Sequence, residues 1–227
     1  MTKFVDLTVK INSDVYGPPS TNVRVEMKPN YRQPSKEDAK FNYWVATTMN
    51  LSVHTGSHVD VPSHVSRGGF STEHLDIDAL IGDATVLRLT HLGESHGITV
   101  DDIKGTGTEI KAGEFVLLNT GWSDKMWGKF PDYYVRSPYL TVEAADWLSE
   151  RKPRAVGFDF FEEYNARLKD FKSDDFVVHH ALLDRGILLF EQMTNMSSVP
   201  DHFRLLAPII KLSGIDGAPA RFIAEVE

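Results

Sequence analysis

The chain of 227 residues contains no cysteine. This excludes a disulfide framework and thiolate ligands, so any metal ion must be held by histidine, aspartate and glutamate. Long apolar runs are also missing: none approaches the roughly 20 residues of a membrane-spanning helix. The opening MTKFVDLTVK lacks the apolar core of a secretory signal. Nor is there a basic stripe. Lys and Arg number 24 against 32 Asp and Glu, and the net charge of -8 repels nucleic-acid phosphates. Internal repeats and low-complexity tracts are absent. These absences lead us to expect a cytoplasmic protein with a small-molecule substrate, and with neither nucleic acid nor membrane as partner.

What is present suits a folded chain. Hydrophobic residues make up 41% and charged residues 25%, ordinary values for a globular protein. The length suits a single domain, residues 1–227, around one substantial core. Residues 12–40, with GPPS and KPNYRQPSKED, read as a long irregular excursion, and loops of that length more often serve function. Short β-rich runs follow: NLSVH (50–54), ATVLRLT (84–90), EFVLLNTG (114–121), AVGFDF (155–160) and GILLFEQM (186–193) are predicted strands of a buried sheet. Helices are predicted over 141–151, capped by Thr141, and over roughly 175–185, opened by Asp174 or Asp175 and closed by Gly186. The fold class is therefore mixed α/β. GTGTE (105–109) lacks the third glycine of a dinucleotide fingerprint and the lysine of a P-loop, and reads as a turn.

The chemistry concentrates in HTGSHVDVPSH, residues 54–64. On an extended strand alternate side chains share a face, so His54, His58, Asp60 and His64 would all point the same way. Such a face could be the wet side of an edge strand. Here, however, its polar members are all of metal-ligand type, with no Lys, Arg or Glu among them. A straight strand would hold His54 and His58 roughly 13 Å apart at Cα, too far for two imidazoles to share an ion comfortably. The segment is therefore expected to bend at Gly56 and to end near Pro62. Further ligands must come from elsewhere. VVHHALLDRGILLFEQM offers His179 on a predicted helix, with His180 as competitor, and Glu191 at the end of an apolar strand. Burial there without a partner would be costly, unless Glu191 simply ends the strand at the surface.

These residues resemble the cyclase family of metal-dependent hydrolases, which includes bacterial kynurenine formamidases and isatin hydrolases. The resemblance rests on the pattern His-x-Gly-[Thr/Ser]-His-x-Asp-x-Pro-x-His at 54–64. It is supported by DLT near the N-terminus, LNTGW (118–122), GFD (157–159) and the segment from His179 to Glu191. It implies a single-domain, three-layer β/β/α fold of the swivelling-domain kind. It also implies one metal held by His54, His58 and Asp60, a second held with His179, and Asp60 and Glu191 bridging them. His64 is then the acid/base, and the cofactor is a divalent ion, Zn2+ or Mn2+, one or two per chain. A homodimer or homotetramer is implied as well. Two departures fall where substrate would lie: VYGPPS stands in place of a Trp-Pro-Gly run, and FFEEYN follows Asp159 in place of a Ser-containing run.

The expected activity is metal-assisted hydrolysis of a C–N acyl bond in a small aromatic amide, of the arylformamidase kind. The alternatives are a lactam hydrolase of the isatin hydrolase kind and a non-catalytic metal-binding or sensing protein. Tyr16 is the first choice for a substrate contact, among a larger set of aromatics that includes Tyr31, Tyr43, Trp44, Trp122, Trp127, Phe160 and Phe161. His74, His91, His96 and His202 read as surface histidines, and Asp159 as a structural hydrogen-bonding residue.

Overall fold

The computed structural model describes residues 1–17, 20, 23–32 and 44–226. In chain order the strands among them are β1 (Lys3–Asp6), β2 (Glu26–Arg32), β3 (Trp44–Asn50), β4 (His58–Asp60), β5 (Ile81–Arg88), β6 (Gly97–Ile98) and β7 (Phe115–Asn119). They continue with β8 (Tyr139–Leu140), β9 (Ala155–Phe158), β10 (Leu188–Glu191), β11 (His202–Leu206), β12 (Gly217–Pro219) and β13 (Ile223–Val226). The helices are α1 (Val100–Gly105), α2 (Trp122–Met126), α3 (Asp132–Val135), α4 (Val142–Ser149) and α5 (Val177–Leu183).

Nine strands form one mixed sheet in the order β1-β13-β11-β5-β7-β9-β10-β4-β12. Its centre is parallel: β5, β7, β9 and β10 pair in register, and the connections between them carry all five helices. These strands are apolar on both sides because both sides are covered. Alternate residues enter two cores. Leu87, Val116, Leu118, Val156, Phe158 and Leu189 join the helices, with Ala144, Leu148, Val178 and Leu182. Val86, Phe115, Leu117, Ala155, Leu188 and Phe190 face the other way, onto Val59, Leu205 and Ala224 from the antiparallel strands of the same sheet and Leu7 and Phe222 beside them. The curled sheet thus supplies two layers and the helices a third. Phe115 and Phe190 meet with ring centroids 5.1 Å apart inside the second core, and truncating either to alanine would cost about 3–5 kcal/mol.

The predicted central strands lie where the apolar runs placed them. Thr141 caps α4 by accepting from the Ala144 amide, and Gly186 follows α5 with φ +75°. α5 starts later than predicted, after Phe176, because Asp175 instead accepts from the Lys172 amide and closes a preceding 3-10 turn. The reading of 12–40 as irregular requires correction. Glu26–Arg32 pairs with Trp44–Asn50 as an antiparallel ribbon, exposed along most of its length and therefore without an alternating apolar signal. Pro18, Pro19 and residues 33–43, including Tyr43, lie outside the described residues. Gly105 ends α1, so only the later part of GTGTE is a turn, with Gly107 at φ +67°. No helix among the described residues is long and apolar enough to cross a membrane.

Candidate active site

HTGSHVDVPSH does not run as one strand. Only His58–Asp60 is extended; His54 sits in a turn closed by the Thr55 amide on the Ser52 carbonyl, and His64 ends a 3-10 turn, Pro62–His64. The bend falls at Gly56, whose φ of +70° is open to glycine at little cost. Pro62 opens the 3-10 turn where β4 stops, at a position that needs no amide donor. The four side chains therefore converge by curvature and not by strand periodicity. Ser57 fixes the bend: its hydroxyl accepts from the Val9 amide at 2.9 Å and donates to the Gln192 carbonyl at 2.7 Å.

β4 lies between β10 and β12, with His58 opposite Glu191 on one side and Asp60 opposite Gly217 on the other. His58 Nδ1 donates to the Gly56 carbonyl at 2.8 Å, which leaves Nε2 facing Asp60 Oδ1 at 3.1 Å and Glu191 Oε2 at 3.6 Å. His54 Nδ1 is 2.8 Å from the same Asp60 oxygen. His179, on the inner side of α5, presents Nε2 to Glu191 Oε1 at 3.2 Å and to Asp60 Oδ2 at 3.8 Å. Each of the two carboxylates thus has one oxygen toward the His54–His58 side and the other toward His179. His180 points outward and bonds Asp184, so the helix offers His179 alone to the site.

Burial makes this arrangement costly without cations. His54, His58, Asp60, His179 and Glu191 are all at most 7% exposed, and Asp60 Oδ2, His58 Nε2 and Glu191 Oε1 have no hydrogen-bond partner. Burial opposes charge on His54, yet Asp60 and Asp216 push its pKa up to about 10. Burial likewise opposes charge on His179, but the adjacent carboxylates of Glu163 and Glu191 hold its pKa well above the usual imidazole range. Asp60 moves the other way: burial would raise it, and His58, His54 and His64 hold it well below. The cluster attracts positive charge, and its imidazole and carboxylate donors, which form groups of three within 4.8 Å of one another, are of the kind that can hold a divalent metal ion.

The Cyclase family model matches residues 5–162. The chain belongs to the cyclase family. Kynurenine formamidase of Salinibacter ruber is 30% identical over 185 residues, covering 78% of this chain and 77% of that protein. Kynurenine formamidase of Bacillus cereus is 25% identical over 223 residues, covering 98% and 97%. Isatin hydrolase A from Labrenzia aggregata, in a structure bound to benzyl benzoate, shares the fold with a TM-score of 0.80 at 24% identity, over 99% of this chain and 94% of that one.

In this cyclase-family chain His64 is half-buried at the edge of the cluster, its ring stacked on His54 at 4.1 Å between centroids. Asp216, in the loop before β12, has one oxygen 3.0 Å from both His64 Nδ1 and His54 Nε2. The sequence reading missed Asp216; its one signal is the glycine-flanked run SGIDGAP. Gly217 is the other omission: a Cβ there would stand 2.8 Å from Asp60 Oδ1 and 2.9 Å from His54 Cε1. Glu163 was also missed. Its carboxylate accepts from the Val178 amide at 2.9 Å, and lies 3.3 Å from His179 Nδ1, so the loop after β9 both starts α5 and orients the imidazole.

A cavity of about 130 Å³ opens onto the cluster, lined also by Ser20, Phe161, Phe171 and Phe176. Among the described residues, Phe161 is the one expected aromatic that lines it. Phe176 packs edge-on to His179 at 4.5 Å and to His64 at 5.6 Å. Tyr16 stands apart from this lining: its ring is 6.1 Å from Phe130, with the Arg24 guanidinium 4.6 Å above it. Asp159 is a structural acceptor, receiving the Thr120 amide and hydroxyl and the Gly121 amide, and so it ties LNTGW to GFD.

Proposed function

We propose that the protein is a metal-dependent hydrolase that cleaves the C–N bond of a small aromatic amide, as an arylformamidase of the kynurenine formamidase kind. One observation carries this reading: Asp60 and Glu191 each extend one oxygen toward the His54–His58 side and one toward His179, the disposition of bridging carboxylates. His54, His58 and Asp60 would hold one divalent cation, and Asp60, His179 and Glu191 a second, as zinc or manganese. Such a cation, when bound, lowers the pKa of water and polarises a carbonyl.

The chain's own residues support the rest. Asp216 bonds His64 at Nδ1 and leaves Nε2 to accept a proton from water and return it to the departing nitrogen. Phe161, Phe171 and Phe176 form an apolar wall on which an aryl ring can stack and from which bulk water is excluded. The compact cavity also favours a second reading, hydrolysis of a bicyclic lactam such as isatin. We carry forward a homodimer or homotetramer as part of this proposal, to be checked by light scattering.

The test is the initial rate of N-formylkynurenine hydrolysis by protein reconstituted separately with zinc and with manganese. His64→Ala should lower kcat by about 10²–10⁴-fold while bound metal stays unchanged. Absence of turnover with either metal, alongside hydrolysis of isatin, would favour the lactam reading.

A further inference from the structure

Glu162 belongs to the FFEEYN run that departs from the family pattern, and the reading above gives it no task. It is 0% exposed, and neither carboxylate oxygen has a hydrogen-bond partner. It offers a ligand atom within 4.8 Å of ligand atoms of both His179 and Glu191. Its Oε1 is also 3.5 Å from His179 Nδ1, beside Glu163 and not on the Nε2 side that faces Asp60 and Glu191. Arg167, the half-buried cation of the same loop, attracts Glu162 through space but gives it no hydrogen bond: its Nη donors go to the carbonyls of Ser137, Pro138 and Phe161. A buried carboxylate without a donor is expensive unless a cation sits beside it. Two donors about 2.1 Å from one ion are at most about 4.2 Å apart, so shared coordination requires a closure of only a few tenths of an ångström.

We propose that Glu162 is a ligand of the second cation, completing a position built from one imidazole and three carboxylates, those of Asp60, Glu191 and Glu162. This rests on the two-cation reading above and deepens it. The first position is dominated by the imidazoles of His54 and His58, whereas the second becomes oxygen-rich. Oxygen-rich sets favour manganese, and imidazole suits zinc, so the two positions would differ in metal preference.

The experiment is calorimetric titration of chelator-stripped protein with Mn2+, together with metal analysis after gel filtration, for wild type, Glu162→Gln, Glu162→Asp and His58→Ala. Wild type should bind two Mn2+. Glu162→Gln, which keeps the shape and removes the charge, should keep one and bind the second more than about 100-fold more weakly, beyond the roughly 10- to 100-fold loss expected of an outer-shell partner. Glu162→Asp, with a shorter carboxylate, should fall between, and it carries the test if the Gln variant does not fold. A second-site affinity of folded Glu162→Gln within about 100-fold of wild type would overturn the proposal, leaving Glu162 at most an outer-shell partner of His179. Failure of the underlying reading looks different: wild type would bind no Mn2+, or His58→Ala would leave both ions in place.

Discussion

His58 and Glu191 face each other across the paired strands β4 and β10, with Nε2 3.6 Å from Oε2. Neither has room to turn away, since His58 is held by the Gly56 carbonyl and both are buried. Cation binding should therefore stabilise the fold as well as create the site. Saturating zinc or manganese should raise the melting temperature of stripped wild type, by about 2.7 kcal/mol of stability at one hundred times Kd. Glu191→Gln should lose most of that increase, read by thermal melts with and without metal.

Asp216 touches His54 and His64 through one oxygen, so its removal should disturb both metal affinity and proton transfer. Asp216→Asn should lower activity by about 10- to 100-fold. Steady-state kinetics and metal analysis on the same samples separate the two effects: a loss of kcat with full metal content assigns Asp216 to His64, and a loss of metal assigns it to His54.

Gly217 leaves the space that Asp60 and His54 occupy. Gly217→Ala should displace one of them by the few tenths of an ångström that a metal site does not tolerate. Weakened metal binding with a nearly unchanged circular dichroism spectrum is the expected outcome. Unchanged affinity would mean that β12 shifts to absorb the methyl group.

Burial pushes the Asp159 carboxyl up to about 7, from 3.8 in the unfolded chain. Between those values the folded state keeps a proton that the unfolded state has released, so this group's contribution to stability falls as pH rises from about 4 to about 7. Asp159→Asn removes that slope. It also sets an amide donor against the Gly121 amide, at a cost of about 1–3 kcal/mol. Urea unfolding at several pH values through this window measures both.

Features that depend on near neighbours were legible in the sequence. The apolar runs placed the central strands, and Thr141 and Gly186 marked helix ends. The pattern at 54–64 marked side chains of ligand type that converge in the fold, with Gly56 and Pro62 where the chain must bend and stop. The even spacing of the four ligand-type residues suggested one strand, and that inference failed because the same residues converge through a turn and a 3-10 turn instead. Tertiary structure alone decided the partners. Glu162, Glu163 and Asp216 sit in polar loops, where a carboxylate in sequence looks like solvated surface; whether it is buried depends on which distant element covers it. Asp216 reaches His64 across 152 positions because β12 is the outer neighbour of β4, and Glu191 meets His58 because β10 is the inner one. Such pairings are set by the packing of the whole sheet, which no local stretch of sequence encodes.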